Sequence, residues 1–213
     1  MLCGVDEAGR GPVLGPLIIA GVAIEDPQPL VDMGVRDSKR LTPKRREQLR
    51  SCILEVARVE LMEISAEEID AARKEMSLNA LEVVHFARVI DTLSPEAAYV
   101  DCADVKEENF HRAIVGSLQH RCEVVSRHKA DDLFPVVSAA SIMAKCRRDE
   151  RMREIEAEAG MPVGSGYPSD QVTRSYLENW IRENGDVPPH TRRSWETVRK
   201  VLSLERVVRI TEW

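Results

Sequence analysis

The first half of the chain alternates short apolar runs with turn residues, and helical periodicity takes over in the second half. Residues 2–5 form an apolar run that ends in Asp6–Glu7, a Gly/Pro-rich turn covers 9–15, and 16–24 is a second apolar run. Two such runs split by turn residues predict neighbouring strands buried on both faces. Beyond the loop 25–41, Thr42 offers a helix N-cap and Pro43 a first helical position, and Leu49, Ile53, Val56 and Ala57 follow at helical spacing. Residues 59–64 read as a strand, and Ser65-Ala-Glu-Glu68 is a capping box, in which the hydroxyl and the carboxylate each satisfy free backbone N–H groups. A helix is predicted over 78–93, with Leu81, Val84, Phe86 and Ile90 as its apolar stripe. A strand follows over 97–100, ending at Asp101; then come a helix over 107–118 and a strand over 122–125 that leads into His128-Lys-Ala-Asp131. From Pro135 the pattern is helical, first Ala/Ser-rich (138–142) and then charged (145–158). Gly160 and Gly164-Ser-Gly-Tyr-Pro168 mark a loop, and 173–183 and 191–202 read as closing helices. The expected architecture is a single domain, an α/β core over about 1–145 with a helical C-terminal part over about 146–213.

Composition narrows the class. Aromatic residues make up only 4% of the 213 residues, so the core is built of Val, Leu, Ile and Ala. The five cysteines (Cys3, Cys52, Cys102, Cys122, Cys146) are odd in number, scattered and free of Cys-x-x-Cys. They predict neither a disulfide scaffold nor a structural zinc site, and they fit a reducing cytoplasm. No run approaches the roughly 20 apolar residues needed to span a bilayer. The formal net charge of −6 argues against a general nucleic-acid binder unless the charges are segregated.

Three acidic positions share one context. Asp6–Glu7, Asp101 and Asp131 each stand at or just beyond a predicted strand end, where ligands bind in open α/β sheets. Carboxylates converging there repel one another unless a cation neutralises them. Hard divalent ions are the natural partners, and they suit in-line phosphodiester cleavage. The plain alternative is that these are solvated turn residues, the reading that fits Asp104, Glu107 and Glu108. Neighbours on a strand also point to opposite faces, so Asp6 and Glu7 share a metal only if the strand ends or bulges near Ala8.

Gly4-Val-Asp-Glu-Ala-Gly9-Arg10-Gly11 nearly matches a phosphate-binding P-loop, but Arg10-Gly11 stands where Lys-Ser/Thr is required, and the internal acids would repel a triphosphate. Gly9 and Gly11 flanking Arg10 suit a turn where a ligand comes close to the backbone, or a simple turn between strands.

Together these segments resemble the ribonuclease HII family (type 2 ribonuclease H) in its archaeal-like form. The resemblance is carried by Gly4-Val-Asp-Glu-Ala-Gly-Arg-Gly-Pro12, Gly15-Pro-Leu17, Asp37-Ser-Lys39, Tyr99-Val-Asp101, His128-Lys-Ala-Asp131, Ala139-Ala-Ser-Ile142 with Ala144-Lys145, Gly164-Ser-Gly-Tyr167 and Arg193-Ser-Trp195, in order over nearly the whole chain. It implies a ribonuclease H-like mixed sheet flanked by helices, with a helical C-terminal extension. It implies hydrolysis of the RNA strand of RNA–DNA hybrids and cutting at ribonucleotides embedded in duplex DNA, leaving 5′-phosphate and 3′-hydroxyl ends. The family's metal-binding carboxylates fall on Asp6, Glu7, Asp101 and Asp131, holding two Mg²⁺ or Mn²⁺ ions with the substrate. The resemblance assigns the sensing of the 2′-hydroxyl, the group that separates RNA from DNA, to the backbone of Gly9, Arg10 and Gly11. It places Tyr167 against the deoxyribose at the RNA–DNA junction, where the plain alternative is a loop tyrosine packed on the helical tail. Lys39, Arg46, Asn79 and Lys145 complete the implied substrate contacts.

Charge distribution meets the objection raised by the net charge. Arg36, Lys39, Arg40, Lys44, Arg45, Arg46 and Arg50 make the segment after the second strand basic and nearly free of acids, which suits phosphate contacts. Arg147, Arg148, Arg151 and Arg153 alternate with Asp149, Glu150 and Glu154, which reads as a solvated helix face. His128 reads as structural. At the C-terminus, Ile210 and Trp213 have the spacing of a sliding-clamp peptide, with Val207 where such peptides carry glutamine; an apolar tail on the core is the simpler reading. A monomer is expected. A DNA nuclease of the same fold would explain the carboxylates without the Gly-Arg-Gly and Tyr167 combination, and a non-catalytic hybrid binder would not need four acids.

Overall fold

The apolar runs at the head of the chain become antiparallel strands, β1 (Leu2–Ala8) and β2 (Leu17–Ile24), every residue of β2 being buried. The computed structural model describes residues 1–35 and 41–211, with 205–211 by backbone alone. Three more strands, β3 (Arg58–Ile64), β4 (Ala97–Asp101) and β5 (Glu123–Arg127), complete a mixed sheet of order β3-β2-β1-β4-β5. In it β4 runs parallel to both β1 and β5. The helices are α1 (Gln28–Asp32), α2 (Pro43–Val56), α3 (Ala66–Ala72), α4 (Leu78–Leu93), α5 (Glu107–Ser117), α6 (Ala130–Leu133), α7 (Pro135–Ala159), α8 (Gln171–Asn184) and α9 (Glu196–Thr211).

Local chemistry fixes several of these boundaries. Thr42 Oγ1 accepts the backbone N–H of Arg45 and opens α2. Ser65 and Glu68 exchange both hydrogen bonds of the capping box at the start of α3. Ser77 caps α4, whose bounds coincide with the predicted helix. The Ala/Ser-rich and charged stretches form the helix predicted from Pro135, α7. The chain departs from expectation in three places. The first strand runs to Ala8 instead of stopping before Asp6, because pairing with β2 continues through Ala8↔Ile18. A short helix, α1, stands in the predicted loop. The last helix starts at Glu196 and not at Thr191, since residue 191 bridges to Leu14 as extended backbone.

The chain divides into two compact units. The first comprises Met1–Ala8, Ile18–Glu63 and Ser77–Arg147; the second comprises Gly9–Leu17, Ile64–Met76 and Arg148–Trp213. In the first unit, α7 and α2 cover one face of the sheet. Ile18, Ala20 and Val22 join Leu49, Ile53, Val137 and Ala140 in a single apolar cluster. The other face meets α4, where the missing side chain of Gly21 makes room for Val89 and Leu93. Phe86 of α4 packs edge-on against Phe110 of α5, ring centroids 5.5 Å apart. In the second unit, Val13 packs with Leu177, Ile181, Val187 and Val198, and Leu14 with Ile155, Val163 and Tyr176.

Gly4 sets the approach of α7 to β1. A Cβ at this position would lie 2.2 Å from the Val136 carbonyl carbon and 2.3 Å from Val137 N, both rigid backbone atoms. Gly4→Ala is therefore expected to destabilise the protein by about 3 kcal/mol or more, the upper range of overpacking costs. A urea midpoint equal to that of the parent would show that α7 can shift without cost.

Candidate active site

The parallel register of β1 and β4 pairs Val5 with Val100, so the next residues in the two strands, Asp6 and Asp101, come out side by side. Asp6 is opposite Ala20 on β2, and residues paired across a ladder share a face. That face is the one covered by α7, because Ala20 clusters with Val137 and Ala140. Asp6 is 5% exposed and its carboxyl is pushed up to about 7, first by burial and next by the charge of Asp101. A hydrogen bond from Ser141, one from the Glu7 backbone N–H (2.7 Å) and the Lys145 ammonium pull the other way. Lys145 Nζ donates to Ser141 Oγ at 2.8 Å, as residues four apart on a helix can. Asp101 Oδ1 accepts the Ala130 backbone N–H at 2.8 Å, which ties the end of β4 to the first turn of α6, where Asp131 is buried.

Glu7 sits within the continuous part of β1, opposite Ile19. The pleat therefore directs it to the other side of the strand from Asp6. The chain breaks from extended geometry one residue after the strand, at Gly9, whose φ is +89°. Among the described residues, no three His, Cys, Asp or Glu side chains are gathered into a ready-made cage for a metal. An ion such as Mg²⁺ keeps several waters and takes one or two carboxylates plus phosphate. Asp6 and Asp101 offer hard oxygen donors, and their mutual repulsion in a buried setting is relieved by a bound cation. The donor set thus fits a divalent ion.

The substrate residues implied by the resemblance are distributed between the two units. Arg46, Asn79 and Lys145 belong to the first. Arg46 donates to the Leu41 carbonyl at 3.0 Å, and Asn79 Nδ2 donates to Asp104 at 2.7 Å. Lys39, with Arg36 and Arg40, lies outside the described residues. Gly9, Arg10, Gly11 and Tyr167 belong to the second unit. There Gly11 is exposed, and a Cβ on it would be 3.6 Å from the Tyr167 ring. Tyr167 is 43% exposed, with the Arg148 guanidinium 5.7 Å from its ring centroid.

Two arginines of this unit escaped the sequence reading. Arg148 was expected on a solvated helix face, yet it is only 5% exposed, and burial lowers its pKa. The side chains absent at Gly9, Gly15 and Gly166 leave its space: a Cβ on each would lie 2.7, 3.2 and 3.0 Å from Arg148 atoms. Arg192 is 0% exposed and donates to three backbone carbonyls, those of Gly9 (2.6 Å), Arg10 (3.1 Å) and Gly15 (3.0 Å). The glycines around the loop were the available signal, since a run of missing side chains leaves a cavity that a long cation fills.

A mixed five-stranded sheet flanked by helices, with acids side by side at its parallel strand ends, is the arrangement of the ribonuclease H-like nucleases. The ribonuclease H2 of Pyrococcus horikoshii superposes with a TM-score of 0.90 at 41% identity, covering 96% of this chain and 98% of its own. A ribonuclease HII from Archaeoglobus fulgidus, solved as a complex with PCNA, gives 0.88 at 40% identity over 94% and 96%. The ribonuclease HII of Methanococcoides burtonii is 46% identical over 210 residues, 94% of this chain and 99% of that relative. The sequence profile of ribonuclease HII matches residues 3–198. The chain belongs to the ribonuclease HII family of endonucleases.

The raised carboxyl predicts how the metal-free protein responds to pH. Asp6 folded holds its proton up to about pH 7, whereas an unfolded aspartate releases it near its ordinary value. Its contribution is whole in acid and is lost as pH rises through the folded value. Without metal, the urea midpoint is expected to fall between about pH 4 and about pH 7, from the ordinary aspartate value to the raised folded one. Asp6→Asn should remove most of that fall, and millimolar Mg²⁺ should reverse it in the parent. A midpoint that rises with pH over this window in the parent alone would contradict the assignment.

Proposed function

We propose that the protein hydrolyses the RNA strand of RNA–DNA hybrids and cuts duplex DNA at embedded ribonucleotides, leaving 5′-phosphate and 3′-hydroxyl ends. The observation that carries this reading is the buried Asp6 carboxyl beside Asp101 on neighbouring parallel strands, in a chain of the ribonuclease HII family. Asp6, Asp101 and Asp131 would hold two Mg²⁺ or Mn²⁺ ions together with the substrate, and Glu7, which the pleat sets on the other side of the strand from Asp6, would join them only by reaching round the strand end before Gly9. When bound, a divalent ion supplies Lewis acidity and a water of lowered pKa for attack on phosphorus. Asp6 stays ionised at neutral pH only against a positive charge, part of which Lys145 provides. Ser141, which donates to Asp6 and accepts from Lys145, fixes the carboxyl's orientation. The backbone of Gly9, Arg10 and Gly11 reads the 2′-hydroxyl, and Tyr167, exposed beside Gly11, presents its ring to the following sugar. Lys39, Arg46 and Asn79 take up backbone phosphates and the DNA strand.

The assay that tests this uses Mg²⁺ or Mn²⁺ and two DNA duplexes of one sequence, with and without a single ribonucleotide. Cutting is expected only in the first, at the ribonucleotide, with turnover lowered at least a thousandfold in Asp6→Asn at unchanged fold. Cleavage of both duplexes would favour a DNA nuclease of the same fold, and cleavage of neither a hybrid-binding protein.

A clamp contact is a second proposal, favoured by the Archaeoglobus fulgidus relative having been solved with PCNA. The residues proposed for it, Val207, Ile210 and Trp213, lie outside the described side chains. Sliding-clamp pull-down is expected to retain the full chain and to lose a version ending at Arg206. Equal retention of the two would reject contact through the tail.

A further inference from the structure

We propose that Arg192 is the positioning residue of the ribose-sensing loop: by anchoring consecutive carbonyls it turns the loop's N–H groups toward the substrate. The inference rests on the reading of Gly9, Arg10 and Gly11 as that sensor, and everything it uses lies within the second unit.

The guanidinium of Arg192 is fully buried, and its Nη2, Nη1 and Nε donate to the carbonyls of Gly9, Arg10 and Gly15. A guanidinium presents five N–H donors in a fixed fork, so these acceptors are held in one geometry. Trp195 continues the pattern, its indole N–H donating to the Gly11 carbonyl at 3.3 Å. The Arg192 guanidinium stacks on that same indole, 4.9 Å from its centroid, with the Arg73 guanidinium also 5.0 Å from the ring. Three successive carbonyls of the loop are thus engaged by Arg192 and Trp195.

Peptide geometry converts this anchoring into function. No peptide bond among the described residues is cis, and in a planar trans unit the C=O and the following N–H point in opposite directions. Fixing the Gly9 carbonyl on Arg192 therefore sends the Arg10 N–H the other way, and fixing the Arg10 carbonyl does the same for the Gly11 N–H. Gly9, at φ +89°, supplies the left-handed turn that lets adjacent carbonyls face one donor group. Successive N–H groups turned to one side form a concavity that receives an oxygen. Arg192 itself is fully buried, so its effect on substrate is exerted through the Gly9 and Arg10 carbonyls it holds.

The test compares Arg192→Met and Arg192→Lys in an Asp6→Asn background, where binding is read without turnover. Anisotropy gives Kd for a duplex carrying one ribonucleotide and for the all-DNA duplex; circular dichroism and thermal melting report the fold. Arg192→Met is expected to cut the preference for the ribonucleotide at least fivefold, with all-DNA binding within twofold. A loss of structure alone would weaken both duplexes together. Arg192→Lys, whose single ammonium cannot span three carbonyls, is expected to fold and to keep only part of the preference. A folded Met or Lys variant with the parent's full preference overturns the proposal, and so does failure of both variants to fold, which would make Arg192 a core residue only. If the Asp6→Asn parent shows no preference, the sensor reading itself fails, an outcome separable from loss of preference on substitution.

Discussion

The contact on which the acidic centre depends is the seating of α7 against β1 at Gly4, where backbone meets backbone with no room for a methyl group. From Val136 to Ser141 the helix advances about 7.5 Å at 1.5 Å per residue. From Gly4 to Asp6 the strand advances about 6.6 Å at 3.3 Å per residue. The two elements therefore keep pace, and the hydroxyl of Ser141 arrives at Asp6 while Lys145, one turn further along the same helix face, brings its charge within influence. The apolar cluster of Ala20, Val137 and Ala140 around this contact supplies the burial that raises the Asp6 carboxyl. Packing and electrostatics are one arrangement here: the tight fit that stabilises the sheet also withdraws water from the acid.

That withdrawal carries a cost which the fold accepts. Asp6 and Asp101 are forced together by parallel register, and burial strengthens their repulsion. Lys145 offsets part of it, and a bound divalent ion would offset the rest. A centre of this kind is least comfortable when metal-free at neutral pH, the condition in which it is most ready to bind a cation. The net charge of −6 is compatible with nucleic-acid binding for the same reason: acids held in the proposed cation site would not face phosphates as uncompensated charge.

Much of this was legible in the sequence because local chemistry wrote it there. Thr42-Pro43, the Ser65–Glu68 box and the stripe from Leu81 to Ile90 each specify a boundary or a face without help from distant residues. The strand-end position of Asp101 was legible for the same reason, since β4 is a short apolar run with an acid at its close. What escaped needed the third dimension. Continuation of β1 through Asp6, Glu7 and Ala8 is decided by ladder pairing with β2, which no local pattern of β1 announces. Arg148 looked like one of several alternating charges on α7, and only the space left by glycines far away in sequence buries it.

Those glycines also divide a question that the sequence posed as one. A glycine pair around an arginine suggested close approach of a ligand to backbone, but the two glycines answer to different constraints. At Gly9 the demand is internal: φ is +89°, and a Cβ would strike the Pro16 carbonyl at 2.6 Å and the Arg148 side chain at 2.7 Å. Gly11 is exposed, and a Cβ there would meet only the edge of the Tyr167 ring at an ordinary 3.6 Å. The absence of a side chain at Gly11 is therefore not explained by the fold of its own unit. An open backbone beside an exposed aromatic ring is what a sugar would need in order to reach the peptide N–H groups while packing one face on the ring. Of the two glycines, Gly11 is the one whose identity argues for a ligand, and Gly9 is the one that holds the loop in the shape to receive it.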